Sequence, residues 1–241
     1  MMTHMKSWSR GLGFDVRLHK QPMAWVTLLV FGLYLLSIVL SDPERPRTVY
    51  YFSEMGMFPV AIMLTLLQFQ RELGGGGMEL IATYPVSLRA LALRKWGMAI
   101  LLTLGLGAVL MSVYLGRFGT ITTVRYPWSG AAPIPKSEIS VAALLLQNLP
   151  AYVLLVSLTV AGIIGFRKIY GGLILGFAVW MLDTISGGSW LGQWTLYASY
   201  LRPGDSFPMN RFALLTASAL LLGFAVWLIG RRERWIAVEE E

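Results

Sequence analysis

Few residues in this chain could do chemistry, and their positions narrow what that chemistry is. The two histidines, His4 and His19, both precede the first long apolar stretch, and there is no cysteine. A hydrolase working inside a membrane needs a buried nucleophile with a base, or a set of metal ligands. No H-E-x-x-H or G-x-S-x-G motif supplies either. Catalytic residues and a metal site are therefore not expected, and an intramembrane hydrolase is the weaker alternative. A phosphate loop is missing too: Gly74 to Gly77 are followed by Met78 and Glu79, with no lysine to reach a phosphate. What remains is a set of polar residues in or beside apolar stretches (Glu54, Gln147, Asn148 and Asp183) and two acids, Glu72 and Glu79, in a polar connection.

The elements that position them are apolar helices. Hydrophobic residues make up 56% of the 241-residue chain and charged residues 14%, against about 25% charged in an ordinary soluble domain. That excludes a disordered chain, a soluble nucleic-acid binder and a disulfide-stapled secreted domain. A helix rises 1.5 Å per residue, so a crossing takes about 20 apolar residues. Six stretches qualify, at about 22–40, 50–70, 96–115, 141–165, 169–186 and 212–230. The second and fifth are marginal, because they are short or must take in Glu54 and Asp183. The expectation is an all-α membrane protein, a single transmembrane domain over 1–241 with six spans.

The net charge of +7 is read loop by loop. Lys6, Arg10, Arg17 and Lys20, then Arg71, Arg89, Arg94 and Lys95, then Arg167 and Lys168, then Arg231, Arg232 and Arg234 share one side. They are 13 of the 20 cations. Arg45, Arg47, Arg117, Arg125, Lys136, Arg202 and Arg211 fall on the other. Cations collect on the cytoplasmic side, which places both termini there and makes anionic lipid headgroups, not nucleic acid, the expected partner of the basic charge.

Ionisable groups at membrane depth are costly. Glu54 and Asp183 lie near the outer ends of their spans, where the simplest expectation is that both are wet. With Gln147 and Asn148, in the outer part of span four before Pro150, they could instead line a substrate path. Gln147 and Asn148 also fit helix-to-helix hydrogen bonding, and Gly172 and Gly176 form a small-residue face for close packing, within one subunit or between two. The outer loop 116–140, with Pro127, Pro133 and Pro135, reads as irregular. The aromatic-rich segment 187–209 reads as a short interfacial or re-entrant helix before span six.

The connection between spans two and three is not a plain loop. After the glycines, 78–84 reads as a short helix with Met78, Ile81 and Tyr84 on one face, and Pro85 stops it. Ser87 can cap a second helix running through Arg94 and Lys95 into span three, and Val86 with Leu91 fits a hydrophobic staple. Residues 13–21 fit a further surface helix, or simply a cationic flank. The connection reads equally as an amphipathic linker resting on headgroups or as a docking surface.

In this connection the chain resembles the type-2 ABC exporter permeases. An acid, a glycine, Glu with an apolar pair, Pro-Val-Ser and a lysine leading into span three match at Glu72, Gly76, Glu79, Leu80, Ile81, Pro85, Val86, Ser87 and Lys95. Gly77 departs from the family's usual threonine. A weaker match covers Tyr197 to Phe207. The resemblance implies an exporter subunit that is not itself an enzyme, whose amphipathic connection serves as a coupling helix on a separate ATPase. It implies two ATPase copies holding ATP and magnesium, a second permease, identical or related, and a bacterial cell membrane. An amphipathic cargo (peptide, antibiotic or lipid-like) is the expected substrate. A non-transporting membrane anchor or immunity protein shares the composition and the spans, and only the connection separates the two.

Overall fold

A computed structural model describes residues 21–44, 47–73, 77–124, 136–201 and 206–235. Expectations that fall on 1–20 and on Gly76 lie outside those residues. The described chain is almost wholly helical: α1 (Pro22–Leu40), α2 (Met57–Leu73), α3 (Gly77–Thr83), α4 (Leu88–Phe118), α5 (Val141–Phe166), α6 (Ile169–Ile185) and α7 (Phe207–Ile229). Five helical stretches are long and apolar enough to cross a membrane, and α6, at 17 residues, is shorter.

The marginal hydropathy of span two has a structural cause. A π-helical turn, Tyr51–Gly56, leads into α2, and 94% of the apolar window of this combined helix is buried, against 22% for α1. Every residue from Met57 to Phe69 is buried. α2 is the central helix, enclosed by α4, α5, α6 and α1, so it needs no lipid-facing stripe and tolerates Glu54, Thr65 and Gln68. The wide turn before it has a local reason. Pro59 has no N–H and its ring crowds the carbonyl one turn back, which favours the wider i→i+5 pattern.

α1 and α7 are the reverse case. α1 buries only Ala24, Thr27, Phe31 and Ile38, on one face, and turns Leu28, Leu29, Leu33 and Leu36 outward. Apolar side chains facing away from the protein are what a lipid solvent calls for.

Several boundaries move from the sequence reading. The helix expected from Ser87 into span three is present as α4: it starts at Leu88, eight residues before the apolar span, and Ser87 Oγ accepts from Ala90 N at 3.3 Å. Its 31 residues make it about 46 Å long, more than the roughly 30 Å of a bilayer's hydrocarbon core. α7 starts five residues early, at Phe207. Ser206 caps it, Pro208 fits its first turn, and Arg211 is drawn inside the helix. The loop expected to be irregular has paired ends: Thr122–Val124 and Lys136–Glu138 form an antiparallel ladder with Thr123 opposite Ser137. Residues 125–135, with their three prolines, lie outside the description. The segment before α7 is two separate 3₁₀ turns, Gly192–Trp194 and Ala198–Tyr200, not one helix. Gly187, Gly188 and Gly192 hold left-handed backbone there, which breaks helical continuity.

Gly172 and Gly176 pack within the chain. A Cβ on Gly172 would lie 2.4 Å from Ile163 Cγ1 and 2.7 Å from Thr159 O, and one on Gly176 would lie 2.7 Å from Thr159 Oγ1. Gly162 of α5 meets Gly171 O in the same way, at 2.5 Å. The α5–α6 contact is thus a backbone-to-backbone approach that only glycine permits. Gly172→Ala is expected to destabilise the fold by about 1–3 kcal/mol through overpacking, read as a lower thermal unfolding midpoint in detergent. Gly105→Ala, with open space around its Cβ position, is expected to change it by less than about 0.5 kcal/mol.

Candidate functional site

Two arrangements concentrate the polar side chains, one at each end of the bundle. At the end holding 71–95, α3 buries Met78 and Ala82, with Ile81 partly buried. Tyr84 leaves the expected face because the helix ends at Thr83, and it stands 56% exposed. Val86 is not drawn into a closed staple with Leu91 either, since it remains 48% exposed. The outward surface therefore carries Glu79, Leu80, Tyr84, Pro85, Val86 and Ser87, with Leu80 62% exposed.

This knob stands on a rigid mount. Lys95, buried in α4, pairs with Glu72 Oε1 at 2.7 Å and donates to Gln68 O. The end of α2 is thereby tied to the start of α4. Glu72 and Lys95 face each other inside the protein, while Glu79 faces out. Buried like this, a lysine needs its counter-charge: removing one partner of such a pair leaves the other stranded. From the far end of the sequence, Arg232 donates to Ala82 O (3.3 Å), Tyr84 O (3.0 Å) and Val86 O (2.7 Å). One guanidinium thus reaches three carbonyls at the end of α3 and the Pro85 corner, of which Tyr84 O also accepts from Val86 N.

At the opposite end, residues 195–198 are buried although 195–197 are irregular and Ala198 only opens a 3₁₀ turn. Backbone away from water must find partners, and here the partners are side chains of three helices. Glu54 accepts from Ala198 N (2.9 Å) and from Ser199 Oγ (2.7 Å). Asp183 Oδ2 accepts from Leu196 N (2.8 Å) and Thr195 Oγ1 (2.9 Å). The carbonyls are met by donors from the first turns of α7: Asn210 Nδ2 reaches Gln193 O (2.8 Å) and Thr195 O (3.0 Å), and Arg211 Nη1 reaches Leu196 O (3.1 Å). Carboxylates hold the N–H groups, and an amide and a guanidinium hold the C=O groups.

Aromatic rings close this nest. Phe58 meets Tyr197 and Tyr152 edge-on, with centroids 5.0 and 5.7 Å apart. Tyr152 donates to Ser53 O, in the π turn. Burial pushes the Tyr197 and Tyr200 phenols up from their ordinary range, so both stay protonated, and Tyr197 OH lies 2.6 Å from Thr184 Oγ1.

The expectation that Glu54 and Asp183 are wet is overturned: both are fully buried, because the 195–199 segment folds over them. They come together on one stretch of backbone. Gln147 and Asn148 are buried on the turn of α5 preceding Tyr152. Sequence reasoning missed Arg232, Asn210 and Arg211. A visible signal existed for the last two: an Asn-Arg pair flanked on both sides by apolar helix-forming residues, from Phe207 through Leu215.

No family model, curated protein or solved structure matches this chain.

Glu54→Ala would strand the buried Ala198 N–H and remove a carboxylate whose charge the buried Arg211 feels. The expected loss is about 3–5 kcal/mol, measured by detergent unfolding, with faster amide exchange at Ala198. Asp183→Asn keeps a carbonyl acceptor for Leu196 N, and about 1 kcal/mol is expected.

Proposed function

We propose that the protein is the permease subunit of an ABC exporter, with six spans and both termini cytoplasmic. A separate ATPase, in two copies, docks on the Glu79–Ser87 knob. The observation that carries this reading is the pairing of an outward acidic and apolar surface with a rigid mount. Leu80, Tyr84 and Val86 stand exposed, on a segment held from within by Met78, Ala82 and Leu88 and from behind by Arg232. Exposed apolar groups on a stiff support are what a protein interface uses. A linker that merely rested on headgroups would not need its corner carbonyls fixed by a residue 146 positions away.

The mechanism then follows from mechanics. Nucleotide drives a permease only through different contacts in its two states. Force applied to the knob passes to α2 and α4 through the Glu72–Lys95 pair, and to α7 through Arg232. The π turn that leads into α2 carries Glu54 and α7 carries Asn210 and Arg211, which hold the 195–199 segment at the other end. ATP and magnesium belong to the partner, and a second permease chain, identical or related, completes the assembly. The span of α6, at 17 residues, covers about 26 Å, which a bilayer accommodates by local thinning. The cargo is an amphipathic molecule of peptide, antibiotic or lipid-like character, carried across a bacterial cell membrane.

The test is co-purification with an ATPase encoded beside it, followed by transport in proteoliposomes. A stable complex is expected, and Glu79→Lys should lower ATP-driven transport at least about tenfold, the equivalent of about 1.4 kcal/mol of lost coupling, with the unfolding midpoint unchanged. No complex, or full transport by a Glu72→Lys/Glu79→Lys double variant, overturns the reading and leaves a membrane anchor or immunity protein.

A further inference from the structure

The turn between α5 and α6 consists of two cations, Arg167 and Lys168. Arg167 has φ 56 and ψ 23, left-handed backbone that a side chain other than glycine rarely adopts. Its guanidinium crosses to the tail, where Nη1 donates to Arg234 O at 2.6 Å, and Arg234 Nη2 donates back to Gly165 O at 3.3 Å. Arg231 lies over the Trp227 ring at 3.9 Å. Four cations are thus gathered where α5 ends, α6 begins and α7 ends. Among the described residues no ion pair reaches any of them, and the nearest acid in sequence is Glu233.

Like charges strapped together by backbone hydrogen bonds repel one another, and the field they make is relieved by an anion. The surroundings say which kind. Phe166, Tyr170 and Trp227 are all exposed beside the cations, at the helix ends where the apolar stretches stop. Aromatic rings at that level mark a membrane–water interface. A headgroup phosphate would meet the guanidinium donors while its acyl chains lie along the rings and the outward apolar face of α7. A soluble anion would gain nothing from the rings.

We propose that Arg167, Lys168, Arg231 and Arg234 form a binding site for the headgroup of an anionic phospholipid. The site does not depend on the exporter reading, and its test needs no ATPase. The purified protein in detergent is titrated with phosphatidylglycerol, and the thermal unfolding midpoint is followed. A saturable rise is expected. In an Arg167→Gly/Arg231→Gln variant the lipid concentration at half-effect should rise about tenfold or more. Glycine is chosen at 167 because it suits the left-handed backbone, so the variant retains its fold. Arg47→Gln/Arg117→Gln, at the opposite end of the bundle, should leave the half-effect concentration unchanged. The proposal fails if the first variant responds like the parent or if the control pair shifts the titration equally. It also fails if phosphatidylcholine, or inorganic phosphate at the same concentration, reproduces the rise.

Discussion

The structure depends on how it satisfies a largely irregular stretch of backbone that is buried among helices. Residues 195–198 are shielded from water and local turns meet only some of their groups (Thr195 N with Gly192 O, Ala198 O with Leu201 N); an unmet amide or carbonyl there costs about 2–7 kcal/mol. Glu54, Asp183, Asn210 and Arg211 supply the missing partners. This explains three features that look unrelated. A π turn before the central helix carries a carboxylate, α6 carries an aspartate in its last turn, and α7 has an asparagine and an arginine inside its first turns. Each would be costly alone. Around one peptide segment each finds hydrogen-bond partners.

The opposite end uses the same device on an exposed corner. Arg232 closes the carbonyls of the 82–86 corner, and Glu72 with Lys95 locks the two long helices that flank it. The corner is thus presented with little freedom of its own. Rigid presentation suits transmission of force, since a flexible loop would absorb it. α7 has both arrangements near its ends, and α2 has Glu54 in the π turn before it and Glu72 near its other end. The exporter reading gives that connectivity a use.

Much of the helical layout was legible from apolar run length. The first helix was expected at 22–40 and spans those residues, and the fourth was expected at 141–165 and ends one residue later. The cap at Ser87 and the stop at Pro85 follow from local chemistry, and both are present. What could not be read is what depends on distant partners. Glu54 and Ala198 are 144 positions apart, and no periodicity links them. A carboxylate near the end of an apolar run looks wet until the segment that covers it is known. Arg211 was counted with a loop because cations there usually belong to one, yet its helix starts earlier, at a Ser-Phe-Pro cap. The pairing of 122–124 with 136–138 is not readable because three-residue strands leave no alternation to detect.

The central claim is that the Glu79–Ser87 knob is the surface an ATPase grips. The chain has no cysteine of its own, so a single cysteine can be placed at Leu80 or Tyr84 and cross-linked to the co-expressed ATPase. The account predicts cross-links at both positions whose yield changes when nucleotide is added, and none from a cysteine at Ser140, at the opposite end. Equal yields at both ends, or no cross-link at Leu80 and Tyr84, would contradict it.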